Sequence, residues 1–174
     1  MDINSSNSGV DRLCPNCGLC CDSTLFADVE LRAGDDAKRL AKLGLSLGKK
    51  GQEKLAFAQP CACFDGKLCR IYDDRPKRCR TFECGLLKKV AADELSTGAA
   101  LKKISSAKIL AETVRGRLRS LGRHDERLAL TKRYAQVMGA PVDLAAAADE
   151  SELRGELMLA VNELMQMLQR DFLK

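Results

Sequence analysis

Nine cysteines and a single histidine are the residues of this 174-residue chain best suited to metal or redox chemistry. All nine cysteines lie within residues 14–84, and residues 85–174 contain none. The first group is Cys14-Pro15-Asn16-Cys17-Gly18-Leu19-Cys20-Cys21. Two cysteines separated by two residues suit one ion, because the turn between them brings both sulfurs to one side and lets backbone N–H groups point at the thiolates. Gly18 supports such a knuckle, since the position after the turn often needs positive φ. A third thiolate at Cys20 makes C-x2-C-x2-C. That spacing wraps three ligands around a corner of a 4Fe-4S cubane with the fourth from elsewhere, and it also serves zinc. Cys20 and Cys21 are a separate matter. Adjacent side chains of extended backbone point to opposite faces, so one of the pair turns toward a second metal or bridges.

The second group is Cys61, Cys63, Cys69, Cys79 and Cys84. If residues 55–64 and 67–72 are the arms of a hairpin about Asp65-Gly66, Cys61 and Cys69 come close across the turn. Cys61 and Cys63 then share a face. Nine thiols suffice for two four-ligand sites and one spare. Five of the seven aromatics, Phe26, Phe57, Phe64, Tyr72 and Phe82, fall in this half and suit an apolar shell around bound metal. Arg75, Lys77, Arg78 and Arg80 flank Cys79, where cations would offset thiolate charge. Tyr72 reads as a packing residue and His124 as part of a turn or cap between helices.

These residues need positioning elements, and the pattern supplies them. TLFADVEL, residues 24–31, alternates as a strand, and a helix follows over 35–43 with Gly44 as its C-terminal stop. Residues 45–54 read as an exposed loop, and residues 73–84 as a loop punctuated by Pro76. From Gly85 the period becomes helical. Leu101, Ile104, Ala107, Ala111, Val114, Leu118 and Leu121 form one stripe that Gly122 ends. A second helix is expected over 125–138, and a third from about Asp149, with Glu152 completing a capping box and Leu153, Leu157, Val161, Leu164, Leu168 and Phe172 on one face. The stripes suit packing of a helical hairpin or bundle, with a dimer seam as the other use.

Bulk properties exclude much. No run of 18 apolar residues is present to span a membrane, and residues 1–13 lack the basic start and apolar stretch of a secretory signal. A cytoplasmic location is therefore expected, where clustered cysteines read as ligands before disulfides. No Walker loop, dinucleotide fingerprint or nucleophile elbow occurs, so no enzyme class is assigned. Net charge is +5, unevenly spread: residues 88–133 carry 12 basic and 5 acidic side chains, and residues 134–174 carry 3 and 7. Two helices that attract each other explain this asymmetry more simply than a nucleic-acid surface, because no aromatics interleave the basic stripe of Lys102, Lys103, Lys108, Arg115, Arg117, Arg119 and Arg123.

The ordered pattern CPNCGLCC, then Pro60-Cys61, Cys69, Ile71-Tyr72, Arg75-Pro76, Cys79-Arg80, Phe82 and Cys84, resembles the YkgJ-like CxxCxxCC cysteine-cluster family, described as a zinc- or iron-chelating domain. Cys63 falls where that family usually has an apolar residue. The resemblance implies metal binding by Cys14, Cys17, Cys20, Cys21, Cys61, Cys69, Cys79 and Cys84, with zinc or iron, including an iron–sulfur cluster, as occupant. The expected architecture is α+β: a metal-nucleated cysteine-rich module over residues 13–85, followed by an α-helical hairpin or bundle over 86–174. That helical region is the expected surface for a protein partner or self-association. A redox sensor or enzyme component, and a metal-stabilised nucleic-acid binder, are the competing functions.

Overall fold

The structure is a computed structural model that describes residues 12–51, 54–141 and 148–174. It is an α+β chain in which a cysteine-rich N-terminal part carries a small antiparallel sheet and two long helices pack together behind it.

The cysteine-rich part opens with α1 (Leu13–Cys17), a single helical turn that Gly18 stops at φ +77°. Strand β1 (Asp28–Glu30) follows, then α2 (Ala37–Lys42). The Asp36 carboxylate caps α2 by accepting from Arg39 N at 2.9 Å, and Gly44 at φ +104° ends it, as the pattern required. Residues 45–54 are not a loop. β2 (Leu47–Lys50) and β3 (Lys54–Ala58) form a hairpin, with β1 on the other edge of β3 and Val29 opposite Phe57. Every residue of β2 is at least partly exposed, so apolar alternation gave no strand signal there; the pairing is reinforced by Lys50 Nζ reaching Asp28 Oδ1 at 2.6 Å.

The expected hairpin about Asp65-Gly66 shrinks to one bridge between Phe64 and Cys69, because β3 already spends residues 54–58 on the sheet. The Pro76 segment holds a short helix, α3 (Lys77–Thr81), with Pro76 at its N-cap.

Helices α4 (Gly85–Ala91), α5 (Thr97–Ser120), α6 (Leu130–Gly139) and α7 (Ala148–Asp171) complete the chain. Ser96 Oγ caps α5 by accepting from Ala99 N at 3.2 Å, and Gly122 at φ +74° closes it. The predicted stripe is the packing face: Ala100, Ala107 and Ala111 are fully buried, and such small side chains let α7 approach α5 closely. Opposite them stand Leu157, Leu164, Leu168 and Phe172. Arg117–Glu156 at 2.6 Å and Lys103–Asp171 at 2.8 Å join the two helices, the attraction expected of their opposite charges.

Helix α6 begins at Leu130 rather than Asp125. Asp125 instead builds a turn, its Oδ1 accepting from Arg127 N at 3.1 Å, and Leu130 N donates to Ser23 Oγ at 3.3 Å, a cap supplied from the cysteine loop. His124 is exposed in that turn region. The side chain of Asp149, and with it the proposed capping box, lies outside the described residues.

The core has two parts. The larger joins Leu13 and Leu19 of the cysteine loop to α4, α5, α6 and α7; the smaller gathers Val29, Leu40, Leu45, Phe57, Cys63 and Ile71 beneath the sheet. Among the described residues no helix is long and apolar enough to cross a membrane.

Candidate metal centre

The cysteine loop and the segment after the sheet close on a cavity of about 180 Å3 between the two core clusters. Its wall contains Cys14, Cys17, Cys20, Cys21, Cys61, Cys69, Cys79 and Cys84, the eight residues singled out from sequence. Cys63 is absent from the wall. It is fully buried in the smaller core cluster, and its Sγ donates to the Leu43 carbonyl at 3.6 Å. Residues 61–63 form a turn rather than a regular strand, and the Cys63 thiol still meets that of Cys61 while lying off the cavity wall. No disulfide joins any of the nine.

The backbone explains how distant cysteines meet. Gly18 O accepts from both Cys21 N and Asp22 N, at 2.8 and 3.0 Å, which curls the loop after α1. Cys61 N then donates to Cys21 O at 2.8 Å, fastening the second segment to the first. The bridge Phe64–Cys69 and the bond from Arg70 N to Cys63 O, 2.8 Å, return the chain past Cys61. Cys79 rides on α3, and Cys84 is the N-cap residue of α4. The next residue, Gly85, donates to Phe172 O at 2.9 Å, so Cys84 is anchored to the far end of α7.

Burial leads the rise of the cavity thiols, and repulsion between neighbours adds to it. Burial pushes the Cys20 thiol well above its ordinary value, and repulsion from Cys17, Cys21, Cys84 and Cys14 adds to the rise. Burial also lifts Cys17 to about 12, opposed by the N–H of Leu19 and by Lys108, and reinforced by Cys84 and Cys14. Cys21 is raised to about 12 by burial and then by Cys61, Cys69 and Cys79. Cys61 and Cys79 are each raised to about 11, burial again leading, followed among the neighbouring thiols by Cys63 and Cys69 for Cys61 and by Cys61 and Cys69 for Cys79. Cys20 thus feels Cys17, Cys21, Cys84 and Cys14, while Cys21 feels Cys61, Cys69 and Cys79.

Two features fit these thiols to metal. The Leu19 N–H points at Cys17 and the Cys63 N–H at Cys61, the backbone donation that steadies a thiolate. The surroundings are apolar and aromatic: Phe26, Phe57, Phe64, Tyr72 and Phe82 all line the cavity, with Phe26 and Phe82 edge to face at 5.0 Å. Gln59 stands on the same wall, buried, with its Oε1 lacking a hydrogen-bond partner. Arg75 lowers the Cys79 thiol against the burial that raises it, and stacks 3.5 Å over the Tyr72 ring. Among the described residues no three His, Cys, Asp or Glu side chains are gathered closely enough to hold an ion as they stand. The eight cysteines are neighbours around one cavity rather than closed coordination shells.

Spacing within the cysteine segment gave no sign of the contributions from the helical half. Leu86, Leu87, Ile104 and Phe172 line the cavity, and Lys108 reaches the Asn16 carbonyl, one residue before Cys17. Lys108 had stood out only as one member of a basic stripe.

A family model named CxxCxxCC, with the description "Putative zinc- or iron-chelating domain", matches residues 13–102. The match spans just over half of the chain, and the chain belongs to this family. It ends within α5, before Lys108 and Arg115. No curated protein matches the chain, and no solved structure does.

Proposed function

We propose that this member of the CxxCxxCC family chelates zinc or iron at two four-thiolate sites, one formed by Cys14, Cys17, Cys20 and Cys84 and the other by Cys21, Cys61, Cys69 and Cys79. The observation that carries this reading is the convergence of the cysteines: eight, from two distant stretches of sequence, line one cavity, and the ninth is packed in a core off its wall. Burial raises at least four of these thiols well above their ordinary value, so ionising them is costly unless a cation replaces the proton. A bound ion would supply that compensation and staple together a loop-rich segment whose own core cluster is small. Closed four-thiolate sites offer no open position for hydrolysis, so binding rather than catalysis is the function assigned.

A second reading places an iron–sulfur cluster at the first site. The spacing of Cys14, Cys17 and Cys20, with Cys84 supplied from afar, favours it. Anaerobic purification followed by elemental analysis, acid-labile sulfide assay and a visible spectrum separates the two. Colourless protein with about two zinc per chain supports two structural ions. Brown protein with matching iron and sulfide supports the cluster. Cys20→Ser and Cys21→Ser, neighbours in sequence, should each remove one centre and leave the other. Loss of both centres from each variant, or none bound by the parent chain, overturns the two-site assignment.

A further inference from the structure

The first four thiols are held in place from beyond the family-matched segment. Lys108 Nζ donates to the Asn16 carbonyl at 2.8 Å, one residue before Cys17. Two helical turns along α5, Arg115 donates to the Asp22 carbonyl at 3.2 Å, to Asp22 Oδ2 at 3.0 Å and to Thr24 Oγ1 at 3.0 Å. Residues seven apart share a helix face, so one edge of α5 grips the cysteine run from within Cys14–Cys17 to just past Cys21. Leu13 and Leu19 are buried in the same core as Ala107, Ala111 and Val114, which presses the loop onto the helix between the two cations. Arg115 is largely buried, its side chain 17% exposed, so its three bonds are shielded from water. These two residues were part of the stripe considered for nucleic acid; both are engaged within the chain.

We propose that Lys108 and Arg115 are positioning residues of the first metal site, cations of the helical half that fix the Cys14–Cys20 loop for ligation and offset the charge of its thiolates. A zinc ion with four thiolates carries a formal charge of −2, which nearby cations stabilise. The inference rests on the two-site chelation reading above. Lys108 exerts its effect through charge and one backbone bond. Arg115 exerts its effect by holding the turn at Asp22.

The test measures zinc affinity by competition with a chromophoric chelator, in a Cys21→Ser background that keeps the first site and a Cys20→Ser background that keeps the second. Lys108→Met should weaken the first site by about 10-fold or more, the usual effect of losing an outer partner of a metal ligand, and leave the second within twofold. Lys108→Arg should restore the first site, whereas a purely packing role would be served as well by Met. Lys102→Met, which removes an exposed cation of the same helix, should change neither. Arg115→Met should also act on the first site alone; should it fail to fold, Lys108→Met and Lys108→Arg decide the matter. Parent protein that binds no zinc defeats the chelation reading. Parent protein with two zinc ions, and a Lys108→Met variant within twofold of it at the first site or equally weakened at both, defeats this inference and leaves chelation standing.

Discussion

Gly18 sits where two separate physical demands coincide, and a set of alanine substitutions can pull them apart. At φ +77° an L side chain is disfavoured by about 1–2 kcal/mol. A methyl group there would also lie 2.6 Å from Cζ of Phe64, a ring on the cavity wall, and overpacking of that kind costs about 1–3 kcal/mol. Gly18→Ala should therefore lose about 2–5 kcal/mol, a large part of the stability of an ordinary domain. Gly34, at φ +93° with nothing near its would-be Cβ, isolates the backbone cost, so Gly34→Ala should lose only about 1–2 kcal/mol. Gly85 isolates the steric cost: its φ is not positive, yet a Cβ would stand 2.5 Å from Lys174 O and 2.8 Å from Asp171 O. Those are backbone atoms, which cannot rotate away as a side chain can. Gly85→Ala should then lose about 2 kcal/mol or more, despite the helix propensity it gains. Urea unfolding of the metal-loaded proteins gives the three values, with the slope checked for constancy. Phe64→Leu should recover about 1 kcal/mol in the Gly18→Ala background, a coupling between contacting residues. If Gly18→Ala matches Gly34→Ala within about 0.5 kcal/mol, the close approach of loop and ring contributes nothing and the reasoning fails.

Three further outcomes follow from the same structure. Cys63→Ala should keep the full metal content while losing about 1 kcal/mol, since it vacates a fully buried core position; loss of one metal equivalent would make Cys63 a ligand. For metal-stripped, reduced protein, the raised thiols set the sign of the alkaline response. Folded pKa values of about 11 to 12 against an ordinary 9.0 give stability that is fully present below pH 9 and lost as pH rises through 11 to 12. Its melting temperature should fall over that window, and a rise would contradict the burial described. Asp171 works in the opposite sense: burial acts to raise its carboxyl, but hydrogen bonds from Lys103 and Arg170 outweigh this and hold it below its ordinary value. Asp171→Asn should cost about 1–2 kcal/mol at neutral pH. Denaturation midpoints of variant and parent should converge as pH falls through the carboxylate range, where the parent loses the same charge.

What could be read from sequence divides by the kind of physics involved. The stripes of α5 and α7 were legible because burial imposes a 3.6-residue period, and Gly44 and Gly122 marked helix ends because few other residues accept positive φ. The hairpin of β2 and β3 was hidden, because Leu47-Gly48-Lys49-Lys50 has one apolar side chain and is held by pairing and by Lys50 with Asp28 and Glu30. With Phe57 paired in that sheet, the expected hairpin about Asp65-Gly66 keeps only the Phe64–Cys69 bridge. Pro76 misled in a different way. It was read as a loop breaker, although proline is compatible with a helix start, and here it precedes α3. Lys108 and Phe172 carry no local mark of their role, since nothing in their own neighbourhoods says that the helix pair folds back over the cysteines.

The adjacency of Cys20 and Cys21 has a consequence for how two such sites can coexist. Cys20 meets repulsion from Cys21 as well as from its own three neighbours, so deprotonation for one site raises the cost of deprotonation for the other. If each site takes a divalent ion with four thiolates, two anionic centres face each other across one peptide link, in surroundings whose aromatic walls screen poorly. Compensating cations then belong near each centre, and the chain has one close to each four: Lys108 acts on Cys17 and Arg75 on Cys79. Arg75 lies within the family pattern and reaches its site from the same segment. Lys108 comes from α5, past the end of the family match, and its bond to the Asn16 carbonyl ties the helical half to the cysteine loop.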